Sequence, residues 1–197
     1  MLKVRLIPCI VTKNELVVQS FNFRKYLPIG NVKTAIEFFV NWDVDEIVIL
    51  DIDASREGRG PNVELVAWAA KECFVPLTIG GGIRTVQHIR DLLKAGADKV
   101  CLNSVVYDHE AFITEAAAVF GCQCITVSID AIETPDGYRV FNHLTRTILP
   151  QTPAEQARRL EGLGAGEIFL NSVDRDGCRQ GYDLALLRSV ASEVSIP

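Results

Sequence analysis

The chain has 197 residues, 48% of them apolar, and a formal net charge of -5. That length supports one well-cored domain. An acidic balance without a basic run or an interleaved aromatic strip argues against nucleic acid as a general partner. No apolar run approaches the roughly 18 residues of a membrane span.

Met1-Leu-Lys-Val-Arg5 leads straight into a short apolar segment with no cleavage-type ending, so no signal peptide is expected. The six cysteines (Cys9, Cys73, Cys101, Cys122, Cys124 and Cys178) form no Cys-x-x-Cys pair, and none has a histidine at zinc-like spacing. They read as free thiols of a reducing cytoplasm, with no metal and no cofactor expected.

Near-continuously apolar runs predict strands over residues 5–11, 46–52, 77–79, 99–103, 124–130 and 167–171. Such runs suit parallel strands covered by helices. Between them, helical patterns cover 32–42, 62–73, 86–95, 110–120, 153–163 and 184–194, the fifth opened by the N-cap pair Thr152-Pro153. The order is six βα units with no linker, and so a single domain over residues 1–197.

An internal repeat sharpens the reading. Glu46 matches Glu167, Asp53 matches Asp174, Gly60 matches Gly181 and Pro76 matches Pro197, each at an offset of 121 residues. A constant offset over a window of this length marks duplicated βα architecture. The expected fold is α/β, a (β/α)8 TIM barrel. By this alignment the expectation is a barrel truncated after the sixth βα unit, with strands seven and eight missing.

In such a barrel the chemistry collects at the C-terminal strand ends. Those ends carry residues 11–13, Asp51 and Asp53, Gly80–Gly82, Asn103-Ser104, Asp130 and residues 171–177. The three glycines after Leu77-Thr-Ile79 free the backbone for a phosphate cradle or for a tight turn. Asp130 has the position of a general acid or base, or of a loop cap. Asp174, Asp176 and Asp51 have similar claims. His88, His109 and His143 are not expected at these ends. At the opposite ends, Arg5, Glu46, Lys99 and Glu167 lie at comparable levels, and their charges suggest a ring across the barrel bottom.

Several motifs together resemble the HisF family, the cyclase subunit of imidazole glycerol phosphate synthase. They are Leu50-Asp-Ile-Asp-Ala-Ser55, Pro76-Leu-Thr-Ile-Gly-Gly-Gly-Ile-Arg84, Gly96-Ala-Asp-Lys-Val100, Ile113-Thr-Glu-Ala-Ala117, Val127-Ser-Ile-Asp130, Leu163-Gly-Ala-Gly-Glu-Ile168 and Asp174-Arg-Asp-Gly177. The resemblance implies a barrel docked on a glutaminase subunit. Ammonia released there would pass through the barrel to a bisphosphorylated ribulosyl-formimino-aminoimidazole-carboxamide nucleotide. It implies Asp130 as a catalytic acid/base, Gly81, Gly82, Asn103 and Ser104 around one substrate phosphate, and Asp176 and Gly177 at the other. It also implies Arg5, Glu46, Lys99 and Glu167 as a salt-bridged ammonia gate, and Asp98 as a residue facing the glutaminase.

The departures matter as much. Where the family's first strand ends Cys-Leu-Asp, this chain has Cys9-Ile10-Val11, so the first catalytic aspartate is absent. Gln19 replaces a lysine, and Leu144-Thr145 replaces a glycine pair beside His143. Lys13-Asn14, Val17-Val-Gln-Ser20 and Asn22-Phe-Arg-Lys-Tyr26 resemble a paralogous branch that accompanies surface-polysaccharide synthesis. There the implied role is an ammonia conduit for a sugar-modifying amidotransferase.

Overall fold

The computed structural model describes residues 4–197. They divide into two compact units, one of residues 4–19 and 27–101, the other of residues 20–26 and 102–197. The fold is α/β, of the (β/α)-barrel class.

In the first unit, β1 (Cys9–Lys13), β4 (Ile47–Asp51), β5 (Leu77–Gly80) and β6 (Lys99–Leu102) pair in parallel in that order. Their apolar residues Ile10, Ile47, Ile49, Leu77, Ile79 and Val100 are buried, as both-face coverage requires. The strand expected over 5–11 starts only at Cys9. Pro8 has no N–H to give a ladder, although its carbonyl still accepts the Val48 N–H. β1 runs on into an antiparallel turn with β2 (Leu16–Phe21), and β3 (Lys25–Asn31) follows; the sequence pattern did not predict β2 or β3.

Three helices complete this unit: α1 (Val32–Val40), α2 (Val63–Glu72) and α3 (Val86–Ala95). Asn31, Asn62 and Thr85 cap their N-termini with side-chain oxygens. Each satisfies an N–H that the first turn leaves without a partner.

In the second unit, α4 (Ser104–Asp108) and α5 (Phe112–Phe120) precede β7 (Ile125–Thr134), which pairs in parallel with β10 (Glu167–Ser172). An antiparallel excursion follows β7: β8 (Gly137–Asn142) returns along it, and β9 (Thr147–Ile148) pairs with β8. α6 (Pro153–Leu163) opens on a complete capping box between Thr152 and Glu155. Its buried stripe is Pro153, Gln156, Ala157 and Leu160, the spacing of one helical face. α7 (Leu184–Ala191) closes the chain.

The repeat is physical. The Ile47 N–H donates to the Pro76 carbonyl at 3.0 Å, and the Ile168 N–H, 121 residues on, donates to Pro197 at 2.8 Å. Asn62 caps α2 by taking the Leu65 N–H at 3.0 Å; Asp183, at the same offset, caps α7 by taking Leu186 at 3.1 Å. The β1–β4 register pairs Ile10 with Ile49, Val11 with Leu50 and Thr12 with Asp51. The β7–β10 register pairs Ile129 with Leu170, Asp130 with Asn171 and Ala131 with Ser172. Val11 and Leu50 are therefore the first-half counterparts of Asp130 and Asn171.

Candidate functional site

A polar cluster surrounds Asp130, in the second unit. β7 is buried from Ile125 up to this residue, and the carboxylate is itself only 2% exposed. A buried charge needs several strong donors. Asn171, opposite in the register, donates to Asp130 Oδ1 at 2.8 Å and also to Ser128 Oγ at 3.1 Å. Asn103, directly before α4, donates to Asp130 Oδ2 at 2.9 Å. His143 Nδ1 lies 3.1 Å from the same oxygen. Beyond the ring, His143 Nε2 is 3.5 Å from Ser104 Oγ.

The acceptor side of Asn103 is different. With its amide nitrogen committed to Asp130, Asn103 Oδ1 is buried without a hydrogen-bond partner. A buried acceptor in that condition is costly unless a ligand donor or water reaches it. Tyr107, one turn into α4, donates to the Phe141 carbonyl at 3.5 Å. Burial, aided by the Asp130 charge, pushes its phenol well above the ordinary range, so it stays a neutral donor.

The expectation that no histidine reaches the strand ends is corrected by His143. It lies just past β8, and β8 doubles back along β7 with Ala131 opposite Val140, which returns the histidine to Asp130. The signal was present as Pro135-Asp136-Gly137, since Asp-Gly between apolar runs is a strong hairpin mark.

Asp176 and Gly177 lie in the same unit and pack on residues 20–23. The Asp176 carboxylate takes the Ser20 hydroxyl at 2.6 Å and the Phe23 N–H at 3.2 Å. Gly177 has φ +70, and a Cβ there would stand 2.1 Å from the Ser20 carbonyl oxygen, so only glycine fits. Asp174 accepts the Glu133 N–H at 2.7 Å. Its repeat partner Asp53 does the same for Asn14 at 3.1 Å and is also ion-paired to Lys13 at 2.7 Å.

In the first unit the glycine loop is packed tightly from the chain side. A Cβ on Gly81, at φ +107, would lie 2.3 Å from the Asp51 carbonyl oxygen, and one on Gly82 would lie 2.6 Å from that of Arg59. The Gly82 N–H donates to Ser55 Oγ at 3.3 Å. Tight packing is thus reason enough for these two glycines, whatever else their N–H groups bind. Asp51 spends one oxygen on the Asp53 and Ala54 N–H groups and the other on Arg59.

At the strand starts of this unit, Glu46 is 2% exposed and takes four contacts. Arg5 Nη1 approaches at 2.9 Å, Thr78 Oγ1 at 2.7 Å, and Lys99 Nζ reaches both carboxylate oxygens, at 2.9 and 3.0 Å. Three of the four residues expected in a charged ring therefore meet here. Glu167 belongs to the other unit, where it accepts from Thr126 Oγ1 at 3.4 Å. Asp98 is exposed and its carboxylate closes a reciprocal pair with the Leu77 backbone: it takes that N–H at 2.8 Å and its own N–H donates back at 2.9 Å. Asp45 makes the same pair with Leu6.

Among the described residues, no group of three His, Cys, Asp or Glu side chains is placed to hold a metal ion, and no helix is long and apolar enough to cross a membrane.

Comparisons with known proteins agree with one another. The profile of the family described as "Histidine biosynthesis protein" matches residues 5–197. A Vibrio vulnificus (strain YJ016) protein, "Putative imidazole glycerol phosphate synthase subunit hisF2", is 64% identical over 197 residues, which is 100% of this chain and 72% of that protein.

Proposed function

The chain belongs to the histidine biosynthesis protein family, on its HisF side, and from that premise we propose that it is a cyclase-type subunit of an imidazole glycerol phosphate synthase-like complex. In this reading a partner glutaminase supplies ammonia through the barrel. Arg5, Glu46, Lys99 and Glu167 gate its entry, and Asp98 faces the partner. Gly81, Gly82, Asn103 and Ser104 hold one phosphate of a ribulosyl-aminoimidazole-carboxamide nucleotide, and Asp176 with Gly177 contribute to the other. Asp130 moves protons. The protein works in the cytoplasm without cofactor or metal.

The observation that carries this reading is the setting of Asp130. A carboxylate buried at a strand end, fixed through both oxygens by Asn103 and Asn171, is oriented for one proton transfer rather than left to sample rotamers. The amide that fixes it also leaves Asn103 Oδ1 as an acceptor for a nitrogen-bearing ligand.

A second reading is favoured by the Val11–Leu50 pair. Where the repeat places the counterpart of Asp130 and Asn171, this chain has two aliphatic side chains that cannot transfer a proton. A subunit with an intact gate and one acid would pass ammonia to an enzyme that modifies a polysaccharide sugar, without closing an imidazole ring itself.

The deciding experiment is ammonia-dependent turnover of the phosphorylated nucleotide by the purified protein. Turnover that falls about 10²- to 10⁴-fold in Asp130→Asn supports the cyclase. No turnover by the folded wild-type protein, together with ammonia transfer that survives Asp130→Asn, moves the function to the conduit.

A further inference from the structure

Ser104, His143 and Asp130 form a hydrogen-bonded chain, and its arithmetic of protons is restrictive. Asp130 is buried and accepts from two amides as well as from the imidazole, which suits the ionised form. A carboxylate can only accept, so His143 Nδ1 must carry the proton that faces it. In the neutral ring the remaining nitrogen, Nε2, is then a lone-pair acceptor turned toward Ser104 Oγ. A serine hydroxyl has one proton to donate. It can donate to Nε2 or to an anion bound beside it, but not to both.

We propose that His143 is a general base oriented by Asp130 and masked by Ser104, and that an anion bound at Ser104 unmasks it. This rests on the reading of Ser104 as a phosphate contact. When phosphate oxygen takes the Ser104 hydroxyl proton, Nε2 loses its donor. It becomes free to form an Nε2–H bond with a proton released from a substrate N–H or C–H group. The resulting imidazolium stays beside the Asp130 carboxylate, which stabilises it, and returns the proton in a later step; no other reactant is needed. The groups facing the ring are Asp130 from β7 and Ser104 from α4. Tyr107, also on α4, is committed to the Phe141 carbonyl, and Arg146 covers the Phe141 ring on its own segment. Neither Tyr107 nor Arg146 therefore competes for Nε2.

This arrangement gives the site a second proton-transfer group that does not depend on position 11. It also ties the base to occupancy: without a phosphate the lone pair is engaged, at the 3.5 Å long limit of a hydrogen bond, and with one it is released.

The test is nitrogen NMR on the full chain labelled uniformly with ¹⁵N, so that histidine rings and backbone amides are both read, with His143→Asn used to assign the His143 signals. The probe is inorganic phosphate. Phosphate is expected to move His143 Nε2 downfield, toward a free imine nitrogen, to leave His88 and His109 in place, and to perturb the Ser104 amide. Ser104→Ala is expected to show the downfield position without phosphate and no further response. If phosphate perturbs the Ser104 amide while His143 Nε2 stays still, the unmasking is wrong and the phosphate site stands. If the Ser104 amide does not respond at all, the phosphate reading falls and the inference falls with it. If Ser104→Ala leaves Nε2 unmoved, the mask is not the serine.

Discussion

Asn171 donates its side-chain amide to Asp130 at 2.8 Å, directly across the β7–β10 register. In the first half of the repeat the same register position is filled by Val11 against Leu50. One architecture thus carries a polar pair and an apolar pair at equivalent places, and the apolar version serves as an internal control for the polar one.

Asn171→Leu copies the first-half residue. It removes a donor from Asp130 and from Ser128 together, and should cost about 1–3 kcal/mol, because a buried acceptor is left without its partner. Asp130→Val strands the Asn171 amide and takes the acceptor from Asn103 and His143 as well, so it should cost more. The double variant should still lose less than the sum of the two singles, since replacing both partners by apolar groups removes the unpaired state of this one pair. Urea unfolding of the four proteins measures this; strict additivity would show that the pair is not coupled.

Glu46 and Lys99 should be unequal in their effect. Glu46→Ala removes an acceptor shared by Arg5, Thr78 and Lys99 at one buried point. The expected loss is on the order of 3 kcal/mol, toward the low end for a buried pair because Arg5 is well exposed. Lys99→Ala leaves Glu46 with two donors and should cost about 1 kcal/mol. Equal losses in urea unfolding would contradict this account. In the presence of the glutaminase, both variants should also change the ratio of product formed to glutamine consumed.

Asp183 makes stability depend on pH. Burial works to raise its pKa, but the Leu186 N–H, Tyr138 Oη at 2.9 Å, Arg175 and Ser172 Oγ outweigh it and hold the carboxyl below the usual range. A group depressed in the folded state stabilises fully above its unfolded value and loses that contribution as pH falls through the folded one. Asp183→Asn keeps a competent N-cap for α7 but drops the charge. The variant should be less stable than wild type near neutral pH, and the gap should close on acidification below about pH 4. Thermal melts across that range read it directly. A gap that stays constant would mean that the charge has no part.

Much of this organisation was legible in the residues. The six βα units, the exact bounds of α3 and α6, and the 121-residue repeat follow from apolar periodicity and capping signals, which are local. Asp130 was found from its place at a strand end. What escaped was carried by non-local pairing. β3 and β9 are exposed along nearly all their length, and β2 and β8 bury only part of theirs, so their hydrophobic pattern is faint. His143 acquires its meaning only once β8 folds back on β7, and Asn171 only once β10 comes into register. Strand ends also shifted for backbone reasons that apolar counting does not weigh, such as the missing N–H of Pro8.

The β8–β9 excursion leaves the strand–helix alternation untouched: β7 pairs with β10 and α6 follows whatever its length. It nonetheless supplies the imidazole that contacts Asp130. Chemistry at this carboxylate is therefore carried by an excursion that is only partly separable from the core, because Val140 and Phe141 of β8 are themselves buried. A lineage or a designer can alter what meets Asp130 by changing residues 143–149, provided those two apolar side chains stay in place.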